Sequence, residues 1–136
     1  TLSAIPIRYP YIDMILIEVK TWEIRTKNTI KIGPVALIRS GSGTVVGTAN
    51  LCKVIKLTRK LCQDNARKMG MTKPQAVTCV GEYAWVLEDV IPLKKPVPYK
   101  HPYGAVTWVT LDEPTTKKVL AEAKRSHKIK YIPHLS

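Results

Sequence analysis

The chain has 136 residues and a mass of 15.3 kDa, of which 45% are hydrophobic and 24% charged, the balance of one ordinary globular domain spanning 1–136 and not of a disordered tail. Its apolar runs, such as Met14 to Ile17 and Val35 to Ile38, are far too short for a membrane-spanning helix or a signal-peptide core, and no Gly-x-Gly-x-x-Gly or Gly-x4-Gly-Lys pattern marks a nucleotide loop. Twenty-two Lys and Arg against ten Asp and Glu leave a net charge of +12, which points to a polyanionic partner.

Ala4 to Arg8 reads as a short strand in which Pro6 suits an edge. Pro10 opens a helix over Tyr11 to Ile17, with Tyr11, Met14, Ile15 and Glu18 at the spacing of one face. Lys20 to Arg25 reads as a half-buried strand, Trp22 and Ile24 opposing a polar face of Thr21, Glu23 and Arg25. Gly33-Pro34 starts a strand over Val35 to Arg39, and its run from Val35 to Ile38 is apolar throughout, as expected of a barrel wall covered on both faces. The loop Ser40-Gly41-Ser42-Gly43 leads into a longer strand over Thr44 to Val54.

Thr58 caps a helix carrying Leu61, Cys62, Ala66 and Met69 inward, ended by Gly70. A second short helix is expected near Pro74 to Cys79, then a core strand from Tyr83 to Leu87 and a proline-interrupted edge from Ile91 to Tyr99. Gly104 to Leu111 reads as the last strand. A closing helix begins at Asp112, Glu113 and Pro114, with Val119, Leu120 and Ala123 inward and Lys117, Lys118, Lys124 and Arg125 outward. The order β-α-β-β-β-α-(α)-β-β-β-α implies an α+β fold, a small mixed β-barrel flanked by short helices.

The charge is unevenly spread. Residues 53–80 carry seven cations and one anion, residues 114–136 six and one, whereas residues 81–113 carry three cations and five anions. Cys52, Cys62 and Cys79, odd in number and set among apolar neighbours, suit buried thiols in a reducing compartment, so the cytoplasm is expected, or the nucleus if the source is eukaryotic. No Cys or His pair has metal-site spacing, and His101, His127 and His134 are scattered, so neither metal nor cofactor is expected.

Pro10-Tyr11 followed by Lys20-Thr21-x-Glu23-x-Arg25 resembles the signature of the ASCH domain, a branch of the PUA-like superfamily. Glu18 stands where that pattern carries Gly. The resemblance continues through Val35 to Ser40, Val45-Val46-Gly47-Thr48-Ala49, Tyr83 to Leu87, Pro96 to Tyr99 and Gly104 to Trp108, and so covers nearly the whole chain. It implies a curved, PUA-like β-barrel with helices plugging its ends and a cleft beside the Lys-Thr motif. It also implies a theme, because PUA-like relatives bind RNA and ASCH proteins are proposed to act on RNA or modified nucleosides. Some resemble amidohydrolases that deacetylate N4-acetylcytidine, and another group is described as ribonucleases.

Lys20, Thr21, Glu23 and Arg25 together offer an ammonium, a hydroxyl, a carboxylate and a guanidinium fork. The structural alternative is that Glu23 and Arg25 form a salt bridge to another strand while Lys20 is solvated, Arg25 being the residue best suited to a fixed structural role. Ser40 and Ser42 sit in a small-residue loop that reads either as a phosphate cradle or as a hairpin connection. Lys53 and Lys56 on the next strand extend a basic track toward Arg59, Lys60, Arg67 and Lys68. Trp85 and Trp108 read as core, Trp22 is ambiguous, and Tyr9, Tyr11 and Tyr103 flank loops where a base could stack.

The leading expectation is therefore a nucleic-acid-binding domain for RNA, preferred over DNA, or for a modified nucleoside, its cleft lined by the motif and the phosphates held by the basic helix. A different class is an enzyme with Lys20, Thr21 and Glu23 as catalytic groups. The amidohydrolase pattern is Lys-x-x-Thr, whereas this chain has Glu23 in place of that Thr, and between Thr58 and Met71 the only acid is Asp64. A metal-independent ribonuclease is the third reading.

Overall fold

The computed structural model describes residues 1–130, with side chains described through residue 127; His134 lies outside the described residues. The elements follow the expected order: β1 (Ser3–Ile7), α1 (Tyr11–Leu16), β2 (Trp22–Arg25), β3 (Gly33–Arg39), β4 (Thr44–Lys56), α2 (Arg59–Asn65), α3 (Lys73–Ala76) with a 3-10 turn (Val77–Cys79), β5 (Tyr83–Pro98), β6 (Val109–Thr110) and α4 (Glu113–Lys130). The strands form one mixed sheet in the order β2-β5-β4-β3-β1-β6, curled into a half-barrel. β1 and β3 run parallel and the other pairings are antiparallel.

The unbroken apolar run in β3 is buried on both faces. Val35 and Leu37 join Ile5, Ile7, Leu51 and Trp85 inside the curl, where Ile12 and Ile15 of α1 plug one end. Ala36 and Ile38 turn the other way, against Leu93, Val97, Val119 and Ala123 beneath α4. A third core gathers Trp22, Leu57, Cys62, Met69, Ala76 and Cys79 under α2 and α3.

Several elements differ from expectation for identifiable reasons. In α1 the buried residues are Ile12 and Ile15, while Tyr11 and Met14 are half-buried. Glu18 lies outside that helix, exposed and at φ 64, in the left-handed region where the ASCH pattern carries Gly. The Thr58 cap is present, its hydroxyl accepting from the Leu61 N–H at 3.2 Å, but α2 stops at Asn65 and residues 66–70 form turns that end at Gly70 with φ +70.

The two strands expected over 83–99 are one bent strand, β5. Asp89 takes φ 53 and the β4 register shifts between Thr48 and Asn50, so the ladder is irregular there without ending. The prolines of its second half are tolerated because β2 pairs only with Tyr83 to Val86. On the side β2 leaves free, the Lys94 N–H donates to Ser126 Oγ at 2.9 Å and the Lys95 N–H to Glu122 Oε2 at 3.2 Å, both from α4. The last strand shrinks to Val109–Thr110, paired only with Ser3 and Ala4. Two residues on, Pro6 faces the same side of β1 without an N–H to offer. In α4, Val119 and Ala123 are buried as expected, whereas Leu120 is half exposed and Thr116 and Ser126 take inward positions.

Candidate nucleic-acid interface

The half-barrel is open between β2 and the C-terminal half of β1, and a cavity of 480 Å³ lies at this seam. Pro6, Ile7 and Arg8 form one bank, Lys20, Glu23, Ile24 and Arg25 the other, and the wall is completed by Tyr11, Ser40, Met71, Cys79, Glu82 and Val106. One hydrogen bond spans the gap, Arg25 Nη2 donating to the Pro6 carbonyl.

Lys20, expected on an exposed polar face, is buried at 1% exposure. The exit from α1 drops it under the turn after α2. There its Nζ donates to the carbonyls of Trp22 and Met69, each at 2.7 Å, and lies 4.9 Å from the centre of the Tyr11 ring. Burial pushes its pKa down from the ordinary 10.5, and the Glu23 carboxylate opposes that shift. Two of the three ammonium protons are thus committed to the main chain. Glu23 Oε1 stands 3.8 Å away, and Glu23 Oε2 accepts from Arg25 Nε at 3.0 Å. The salt bridge expected to another strand is instead a pair within β2, Glu23 with Arg25, and Arg25 reaches β1 only through the Pro6 carbonyl.

The main chain contributes as well. The Thr21 carbonyl accepts from the Leu87 N–H, whereas Trp22 turns its N–H to the Lys68 carbonyl and its own carbonyl to Lys20. By the two-residue alternation of a strand, Ile24 also turns its N–H and C=O away from β5, toward the open seam. A donor and an acceptor therefore sit side by side at the cleft bank, the complement of a base edge or an amide.

Not all of the predicted set converges here. Lys20, Glu23, Arg25 and Ser40 line the cleft. Thr21 does not: it precedes β2, and its main chain is tied to Lys68 and Leu87. Ser42 belongs to the hairpin turn, where its Oγ donates to the Arg39 carbonyl at 2.7 Å and accepts from the Thr44 N–H at 3.1 Å. The loop is a connection, with only its first serine reaching the cleft.

Lys53 is exposed on β4, away from the cavity lining. Arg59, Lys60, Arg67 and Lys68 are exposed on or after α2 and do not line the cleft either. Lys60 pairs with Asp64 at 3.0 Å, Lys68 lies over the Trp22 ring at 5.5 Å, and Arg59 and Arg67 line separate grooves. Trp85 and Trp108 stack with centroids 5.3 Å apart, and Trp22 joins the core. Tyr11 alone of the three loop tyrosines lines the cleft; Tyr9 and Tyr103 project into solvent.

Three cleft residues escaped the sequence reading. Arg8 supplies an exposed cation at the rim, Glu82 a second carboxylate and Cys79 a thiol whose pKa burial pushes up. Glu82 follows the 3-10 turn, well outside residues 58–71, where Asp64 is the only acid. The Glu82 carbonyl accepts from the Leu57 N–H, and this pairing carries the residue back to the cleft wall. No spacing rule connects it to Lys20.

Crystal structures of the ASCH protein of Zymomonas mobilis superpose on this architecture. The protein itself matches with a TM-score of 0.68 at 15% identity, covering 88% of this chain and 93% of that one. Its tyrosine-to-phenylalanine variant matches at 0.68 and 16%, covering 88% and 96%. The chain has the ASCH fold. A serine-to-alanine variant of the same protein agrees, with a TM-score of 0.67 at 16% identity and coverage of 88% and 94%. No family model matches the sequence, and no curated protein matches it significantly. Within the ASCH fold, the Lys-Thr-x-Glu-x-Arg segment forms the lip of the barrel seam, which is why three of its four named residues meet in one cleft. Among the described residues, no helix is long and apolar enough to cross a membrane.

Proposed function

We propose that this protein binds RNA and that the seam cleft receives one unstacked nucleotide of a single strand. The observation that carries the reading is the cleft itself: a cavity of 480 Å³ whose floor holds a buried ammonium, a carboxylate and a guanidinium, in a chain of charge +12. That volume lies in the range of small-ligand sites, and sequence-specific RNA recognition proceeds largely by inserting splayed bases into such pockets. The fixed Lys20–Glu23–Arg25 set and the Ile24 main chain supply donors and acceptors for a base edge. Arg8 at the rim supplies a charge for the phosphate.

Fluorescence anisotropy with a short single-stranded RNA at two salt concentrations tests this. Affinity should fall steeply with salt, because each neutralised phosphate releases counterion. Arg8→Ala should weaken binding clearly more than Lys117→Ala, which removes an equal charge from the outer face of α4. Equal losses, or no binding at low salt, would dismiss the cleft as the RNA site.

A second reading is favoured by Glu82. The cleft then holds two carboxylates and an ammonium, which suits hydrolysis of a base amide such as that of N4-acetylcytidine. A carboxylate would take a proton from the water as its oxygen bonds to the amide carbon, Lys20 would stabilise the oxyanion with its remaining N–H, and the C–N bond would break as the carboxyl returns the proton to the departing N4 nitrogen, giving cytidine and acetate. Incubation with N4-acetylcytidine followed by chromatography for cytidine decides it; no turnover above buffer removes the reading. The same incubation with RNA tests ribonuclease action.

A further inference from the structure

The cleft does not end at its own wall. Met71 lines it and also lines an adjoining open groove of 520 Å³, whose floor is Met14, Val19 and Met71 and whose flank carries Arg67, Lys73 and Gln75. We infer that this groove is a second nucleotide subsite, taking the base next to the one held in the cleft; the inference rests on the RNA reading above.

Three features of the groove argue for that occupant. Its floor is apolar and presented to solvent, Val19 being 50% exposed, and two flexible thioethers give a surface on which any base can stack. Among the described residues neither Arg67 nor Lys73 has an ion-pair partner, so both charges are available to a phosphate. The Gln75 side-chain oxygen Oε1 is committed, accepting from the Thr72 N–H at 3.0 Å, which leaves the side-chain NH2 as a donor on the groove flank.

The track also continues. Lys73 lines a neighbouring groove with Arg59, Gln63 and Asp64, so the exposed cations of α2 lie further along the path, not within the cleft. Three of the seven cations in residues 53–80, Arg59, Arg67 and Lys73, thereby gain a place on one path.

The experiment uses protein labelled with 13C in the methionine methyls, which reports on the groove through Met14 and Met71 and on the interior through Met69. It is titrated with a mononucleotide (AMP, CMP or UMP) and then with the corresponding dinucleotide. The mononucleotide should shift Met71. The dinucleotide should shift Met14 as well and bind about tenfold more tightly, the gain of one stacked base. Arg67→Glu should abolish the gain while leaving mononucleotide affinity within about twofold, and Lys73→Glu should do the same. Mononucleotide binding without any dinucleotide gain overturns the second subsite and leaves the cleft reading standing. No shift with either ligand overturns both. A Met14 shift produced by raising protein concentration alone assigns the groove to a second copy of the chain and overturns the subsite.

Discussion

An ammonium taken out of water costs several kcal/mol unless its protons are met, and Lys20 meets two carbonyls and a carboxylate. It is therefore a structural residue as well as a candidate site residue. Lys20→Ala would strand the Trp22 and Met69 carbonyls and leave Glu23 with Arg25 alone. It should destabilise the fold by about 3 kcal/mol, measured by urea denaturation, against the few tenths expected of an exposed lysine. A loss below about 0.5 kcal/mol would show that the buried geometry does not hold in solution. Binding studies should therefore probe the cleft through Arg8 or Glu82, whose loss does not orphan a buried charge.

A second residue-scale feature is the fork between Arg39 and Asp13, with Nη2 to Oδ1 at 2.7 Å and Nη1 to Oδ2 at 3.1 Å, which ties the start of α1 to the end of β3. The Arg39 hydrogen bonds hold the Asp13 carboxyl below its ordinary 3.8. A depressed carboxylate contributes stability above its unfolded pKa and loses it as pH falls below 3.8 through the folded value. Because both side chains are about a third exposed or more, solvent screening limits the pair to about 0.5 kcal/mol. Asp13→Asn should thus be less stable than the parent at neutral pH and equal to it in strong acid. A stability gap that persists unchanged at low pH would rule out the ion pair as its source.

At the scale of elements, the turn after α2 is the piece that holds the cleft floor. The Lys68 carbonyl accepts from Thr21 and Trp22, the Met69 carbonyl accepts from Lys20, and Gly70 then reverses the chain at φ +70. A Cβ on Gly70 would lie 3.0 Å from Met14 Cε and 3.1 Å from Lys20 Cδ. Gly70→Ala therefore combines a left-handed backbone with crowding of the Lys20 stem. A cost of about 1 to 2 kcal/mol is expected by thermal or urea unfolding, with weaker RNA binding in the folded fraction. The other clamp is between α4 and β5. Ser126→Ala removes the acceptor for the Lys94 N–H and should cost about 1 kcal/mol, with faster hydrogen exchange at Lys94. Unchanged exchange there would mean that α4 does not hold the free side of β5.

At the scale of the molecule, four cations line adjoining cavities. Arg8 stands at the cleft, Arg67 and Lys73 at the adjoining groove, and Arg59 beyond it. For a single strand, each phosphate contact contributes about 0.7 to the slope of log affinity against log salt. Arg67→Ala should flatten the slope by about that amount, and Lys117→Ala should leave it unchanged. A slope unaffected by Arg67→Ala would place the RNA backbone elsewhere on the surface.

Element order and fold were legible in the residues because both rest on local signals. The β3 run needs two covered faces, Thr58 and Gly70 punctuate the helix and turn between them, and the ordered ASCH-like segments span the chain. Lys20, Glu23 and Arg25 were candidates from that resemblance and Ser40 from its small-residue loop, and the fold brings these four to one cleft. What the chain could not disclose by itself was burial and long-range company. A lysine has the same local pattern whether it is solvated or capped by a carbonyl 49 residues away. Glu82 and Arg8 reach one cleft only because the sheet curls and leaves its seam between β1 and β2. Periodicity reports the face on which a side chain lies; which distant group meets it there is decided by the register of the sheet and the turns that close it.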